Sequence, residues 1–141
     1  MTDEFERMTA IGRGPCWEVR RADDSGLVAV RLSGAIDDDG SAAWRGAVSA
    51  AAPAALFIDA TGATSSTSLP SRAALAMFVR QLVAGGVRVE VVANQHMSIV
   101  CRTVMRLAGA QNVVLLQHEQ APQALRAAVA GAVRPPAGHR R

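Results

Sequence analysis

Ala55-Leu-Phe-Ile-Asp59 and Val87-Arg-Val-Glu-Val-Val-Ala93 are two apolar runs that bracket a segment of helical spacing. Between them Leu75, Phe78, Val79 and Leu82 recur at three- and four-residue intervals, which predicts a helix from about Leu69 to Ala84. Gly85-Gly86 stops that helix, as glycine does just past a C-terminus. The first run is short and continuous, as a buried parallel strand is. The second alternates and then turns continuous. Strand, helix and strand in this order form a parallel unit, because parallel neighbours need a crossover.

On the N-terminal side, Cys16-Trp-Glu-Val-Arg-Arg21 alternates like a half-buried strand, and Leu27-Val-Ala-Val-Arg-Leu-Ser-Gly34 has strand character too. The turn signal Asp23-Asp-Ser-Gly26 between them predicts an antiparallel hairpin. Asp37-Asp-Asp-Gly-Ser41 offers N-caps for an Ala-rich helix that contains Trp44 and Val48 and runs to about Ala51. Pro53 marks the break. Downstream, Met97 to Ala108 reads as a helix with Val100, Thr103, Val104 and Leu107 inward, and Gly109 ends it. Val113-Val-Leu-Leu116 is a fifth strand. Pro122 suits a first helical turn, and Leu125, Ala128 and Val129 give the last helix its inner stripe.

The expected class is therefore α/β, in the order β-β-α-β-α-β-α-β-α. A mixed sheet of about five strands is covered by helices in one domain over residues 16–131. Residues 1–15 show no sustained period and read as a flexible leader. Residues 132–141, with Arg134-Pro-Pro-Ala-Gly-His-Arg-Arg141, read as a disordered basic tail.

A chain of 141 residues, half of them apolar, suits one ordinary domain with a real core. Aromatic residues are only 4%, so that core must come from Ala, Val and Leu. All 15 basic residues are arginine, which removes Schiff-base lysines and the P-loop lysine. Residues 1–60 hold 6 arginines against 10 acids (net −4), and residues 61–141 hold 9 against 2 (net +7). Cys16 and Cys101 are too few for a disulfide framework and are not spaced as a metal clip. No apolar run approaches the roughly 20 residues of a membrane span. Met1-Thr-Asp-Glu4 lacks the order of a secretory signal. A cytoplasmic protein without direct membrane insertion is the expectation.

Over about Trp17 to Val129 the chain resembles the STAS domain family of bacterial anti-sigma factor antagonists. Val30-Arg-Leu-Ser-Gly-Ala-Ile-Asp37 is similar to the family's LxGxLD strand end, and Leu56-Phe-Ile-Asp-Ala60 to its central strand. Gly85-Gly-Val-Arg-Val-Glu-Val91, Leu107-Ala-Gly-Ala110 and Gln123-Ala-Leu125 resemble later landmarks of the family. The resemblance implies a non-catalytic domain that binds an anti-sigma factor or related serine kinase in a partner switch. Two other roles known for such domains are a subunit of an ABC-type lipid transport complex and a small-ligand sensor. No cofactor is implied, and a homodimer is left open.

In the antagonists, the loop before the second long helix carries Asp-Ser-Ser-Gly, whose second serine is phosphorylated. Counting back from Gly85-Gly86 without gaps places Thr67-Ser68-Leu69-Pro70 there. Thr67 replaces the aspartate, Leu69 the acceptor and Pro70 the glycine, so the phosphoacceptor loop is degenerate. The loop is still rich in hydroxyls. Ser68 is the first candidate acceptor and Thr67 the second. The residues expected to meet the partner are Thr64, Ser65, Ser66, Thr67, Ser68, Leu69, Pro70, Ser71 and Arg72, with Arg80 and Gln81 further along the helix. The plainer reading is that the serines cap the helix and satisfy the turn.

Other constellations are weaker. His96, His118 and His139 lack partners at metal-ligand spacing and read as solvated loop residues. A hydrolase built from Ser68, His96 and Asp59 has no G-x-S-x-G elbow behind it. Asp37-Asp-Asp39 lacks the alternating ligands of a calcium loop and reads as helix capping. Gly12-Arg-Gly14 precedes the first expected strand instead of following one, unlike a dinucleotide fingerprint. Arg102 and Arg106 share a helix face and, with Arg72, Arg80 and Arg126, could meet an acidic protein or an anionic head group. Nucleic acid is not the expected partner, because stacking aromatics are nearly absent and the arginines are not gathered on one helix.

Overall fold

Alternation along the central strands decides which side of the sheet each residue covers. In the computed structural model, which describes residues 4–22, 25–109, 113–117 and 121–133, a six-stranded sheet runs in sequence order. Its strands are β1 (Thr9–Gly14), β2 (Trp17–Arg21), β3 (Leu27–Ile36), β4 (Ala55–Ser65), β5 (Arg88–Ala93) and β6 (Val113–Gln117). β1, β2 and β3 pair antiparallel, and β3 through β6 pair parallel. The parallel steps are joined by α1 (Asp38–Ala51), α2 (Leu69–Ala84) and α3 (Gln95–Ala108), and α4 (Ala121–Val133) follows β6. The α/β class and single mixed sheet are those read from the sequence.

Val28, Val30, Leu56, Ile58, Val89 and Val91 point to one face and are buried with Trp44 and Val48 of α1, Phe78 and Val79 of α2 and Met97 of α3. Trp44 meets Phe78 edge to face, ring centroids 5.9 Å apart, tying α1 to α2. Leu27, Ala29, Phe57 and Val92 point to the other face, where Leu125 of α4 closes over them. Leu75 and Leu82 pack beside the α2 core residues as expected.

One strand precedes the expected hairpin. The expectation of a flexible leader over residues 1–15 gives way to a 3-10 turn (Phe5–Arg7) and β1. Phe5 and Met8 are buried on the α4 side of the sheet. The Arg20 guanidinium donates through one nitrogen to the carbonyls of Phe5, Glu6 and Met8, at 3.1 to 3.3 Å. Its other nitrogens grip Glu18 at 2.8 Å. Gly12 and Gly14, placed by the sequence in the leader, lie in β1 and leave room for the Trp17 indole. A Cβ on Gly14 would collide with the Nε1 edge of that ring.

A second difference lies in α3. Met97, Val104 and Ala108 form its buried side, while Thr103 and Leu107, expected inward, are exposed. The seam with α2 is made by Ala76, Val104 and Ala108, so close approach of the two helices selects the alanine over the larger neighbour. In α4, Leu125 is buried with Ala128 and Val129 packed beside it, as expected. Asp23, Asp24, His118, His139 and the tail at 134–141 lie outside the described residues.

A candidate docking corner at the end of the central strand

β4 is longer than the sequence suggests, and its second half builds the corner. After Asp59 the register against β3 shifts, and Gly62 to Ser65 pair with Ser33 to Ile36. The Asp59 carboxylate accepts from the Thr61 backbone N–H at 3.0 Å and from its hydroxyl at 2.6 Å, which closes the irregularity. Thr64 and Ser65, expected in a loop, therefore end a strand.

β5 pairs with β4 only as far as Ala60. Beyond that point the open side of β4 is met by side chains from the first turn of α3. Asn94 Nδ2 donates to the carbonyls of Thr61 at 2.9 Å and Ala63 at 2.8 Å. The Ser65 N–H donates to His96 Nε2 at 3.3 Å. Asn94 Oδ1 at the same time accepts from the Met97 N–H at 2.8 Å, capping α3. One amide side chain thus satisfies both a helix start and a strand edge.

The connection to α2 is only Ser66, Thr67 and Ser68. Ser66 donates to the Ile36 carbonyl through its N–H at 2.9 Å and its hydroxyl at 3.1 Å. The Ser65 and Thr67 hydroxyls share a hydrogen bond at 2.7 Å, and Arg72 Nε donates to Thr67 Oγ1 at 3.2 Å. Ser68 caps α2 by accepting from the Ser71 N–H at 3.3 Å, with Pro70 in the first turn. The capping reading of Ser68 therefore holds.

Ser68 has a second partner that the sequence hides. Its N–H donates to Asp38 Oδ1 at 2.8 Å and its hydroxyl to Asp38 Oδ2 at 2.7 Å, across 30 residues of chain. The Ser68 N–H is the main influence holding the Asp38 carboxyl below the usual aspartate value, followed by the Ser68 hydroxyl. Exposure limits the opposing effect of burial. Of the three consecutive aspartates, Asp37 caps α1 by accepting from the Gly40 N–H at 2.8 Å, Asp38 bridges to α2 and Asp39 is exposed.

The corner thus presents an exposed hydroxyl at a helix N-terminus, tied to one exposed carboxylate. Thr64, Ser66, Ser68, Leu69 and Pro70 are exposed, and Ser65 and Thr67 are half-buried. Ser71 and Arg72, expected outward, are partly buried; Arg80 and Gln81 are exposed as expected. Ser68, His96 and Asp59 are not brought together as a triad. Ser68 is bonded to Asp38, His96 to the Ser65 backbone, and Asp59 to Thr61 and, at 3.6 Å, to Arg31. Among the described residues no three His, Cys, Asp or Glu side chains gather as a metal site. No helix among them is long and apolar enough to cross a membrane.

Sequence reasoning missed Asp38, Asn94 and His96 as parts of this corner. Asn94 carried a usable signal, since an Asn directly before a helix is an N-cap; starting α3 at Met97 concealed it. No protein-family model, curated protein or solved structure matches this chain.

Proposed function

We propose that this chain is a non-catalytic docking domain of the anti-sigma factor antagonist kind, binding a regulatory protein through the Thr64 to Arg72 corner and the exposed side of α2. The supporting observation is the Ser68 hydroxyl: exposed, at the start of α2, and joined to Asp38 at 2.7 Å. A phosphoryl group there adds about −1.5 to −2 charges directly against that carboxylate. Repulsion opens the Asp38–Ser68 link and places a dianion on the docking surface, which opposes binding of a complementary partner. An unmodified corner binds, and a charged one releases. Ser68 is the acceptor in this reading and Thr67 the alternative. The partner is an anti-sigma factor or a related serine kinase, met in the cytoplasm.

The experiment compares wild type with Ser68→Glu as bait in extracts of the native host, with Ser49→Glu on α1 as an exposed control. A protein retained by wild type and the control but lost from Ser68→Glu is the expected result. If every protein retained by wild type is also retained by Ser68→Glu, the reading fails.

A further inference from the structure

Past the seam of Ala76, Val104 and Ala108, α2 and α3 both turn apolar side chains to solvent. Leu69 and Met77 on α2 are 79% and 52% exposed, and Ile99 and Leu107 on α3 are 64% and 63% exposed. Each pair is separated by eight positions, about 12 Å along a helix. Midway between them sit small exposed residues, Ala73 on α2 and Thr103 on α3. The Thr103 hydroxyl donates back to the Ile99 carbonyl at 3.1 Å, so its polar group is already engaged. Large, small, large at four-residue steps on two neighbouring helices makes knobs with hollows between them. That is the relief into which a third helix fits.

Charge marks the same surface. Arg80 on α2 and Arg102 and Arg106 on α3 are exposed, and neither helix contains an Asp or Glu. The ion pairs of the described residues lie elsewhere, joining Arg7, Arg20, Arg31 and Arg88 to Glu4, Glu6, Glu18, Asp59 and Glu90. The α2–α3 surface therefore combines apolar knobs with cations that have no carboxylate partner among the described residues.

We propose that this surface docks an acidic amphipathic helix belonging to a partner protein. The inference rests on the docking reading above and names the chemistry of the partner. Leucine-like residues of the incoming helix cover Leu69, Met77, Ile99 and Leu107, and its flanking carboxylates meet the guanidinium groups. Arginine forks match carboxylates two bonds at a time, which sets orientation as well as attraction. A lipid surface fits less well, because polybasic lipid-binding segments gather about four to eight cations. This face carries three, spread over two helices.

The probe is a fluorescein-labelled helical peptide with leucines along one side and glutamates flanking them, titrated with the full chain and read by anisotropy. Binding is expected to weaken with salt and to fall about tenfold or more in the double variant Arg80→Glu/Arg106→Glu. Arg13→Glu, on exposed β1, leaves it unchanged, and a lysine-for-glutamate peptide does not bind. No binding of the acidic peptide, or equal binding by the double variant, overturns the proposal. So does attachment of wild type to phosphatidylserine vesicles, or a wild-type dimer in sedimentation, that the double variant abolishes. If the host partner is lost from Ser68→Glu but retained by Arg80→Glu/Arg106→Glu, the corner stands and this surface falls.

Discussion

Both the N–H and the hydroxyl of Ser68 converge on the carboxylate of Asp38, at 2.8 and 2.7 Å, joining the first turns of α1 and α2. The charged form of Asp38 is thereby favoured in the folded state, and its titration moves below the ordinary value of 3.8. Its contribution to stability is fully present above that ordinary value and is lost as pH falls through the lower folded value. Thermal melts of wild type and Asp38→Asn from about pH 6 down to about pH 2.5 test this. The gap between them is expected to narrow over the acidic end of that range.

Asn94 has two duties that a single substitution can separate. Asn94→Ala removes the α3 cap and both donors to β4, at an expected cost of about 1–3 kcal/mol in urea unfolding. Asp caps helices as well as Asn does. Asn94→Asp is nevertheless expected to be at least as damaging as Asn94→Ala, because its carboxylate faces the Thr61 and Ala63 carbonyls that now accept from the amide.

Gly14 and Gly46 should respond to alanine with opposite signs. At Gly14 the added methyl collides with the Trp17 indole, so Gly14→Ala is expected to destabilise by about 1–3 kcal/mol and to shift tryptophan fluorescence. Gly46 lies within α1 with nothing within 4 Å of its Cβ position. Gly46→Ala is expected to stabilise by about 0.5–1 kcal/mol.

Arg20 holds the N-terminal turn through three carbonyls and stands over the Phe5 ring at 5.0 Å. Arg20→Ala is expected to speed amide exchange in residues 5–14 well before the parallel strands respond. Exchange that rises evenly across the sheet would instead mean that the turn is integral to the whole fold.

Burial pushes the Cys101 thiol up to about 11. Stability from this source is present below the unfolded value and is lost as pH rises through the folded one. At pH 8 the folded protein holds on the order of 100-fold less Cys101 thiolate than the unfolded chain. In a Cys16→Ser background, alkylation by iodoacetamide should be slow until urea unfolds the protein.

The parallel core was legible because its residues repeat at the periods of the elements they build. β1 was not, because an edge strand needs little apolar alternation and its glycines serve Trp17. Thr61-Gly-Ala-Thr-Ser65 reads as a polar loop, and only partners distant in sequence keep it extended. At the corner, Ser68 was recognisable as a cap from its place before Leu69 and Pro70. Its bond to Asp38 was not, since no local pattern records a contact made across 30 residues.

The corner is pinned from two flanks: Asp38 reaches it from α1, and Asn94 and His96 reach it from α3. α3 holds the last residues of β4 and α1 holds the cap of α2, so the three-residue joint between them is clamped at both ends by different helices. A shift of α1 relative to α3 must therefore be taken up within Ser66 and Thr67, the two residues between the clamps.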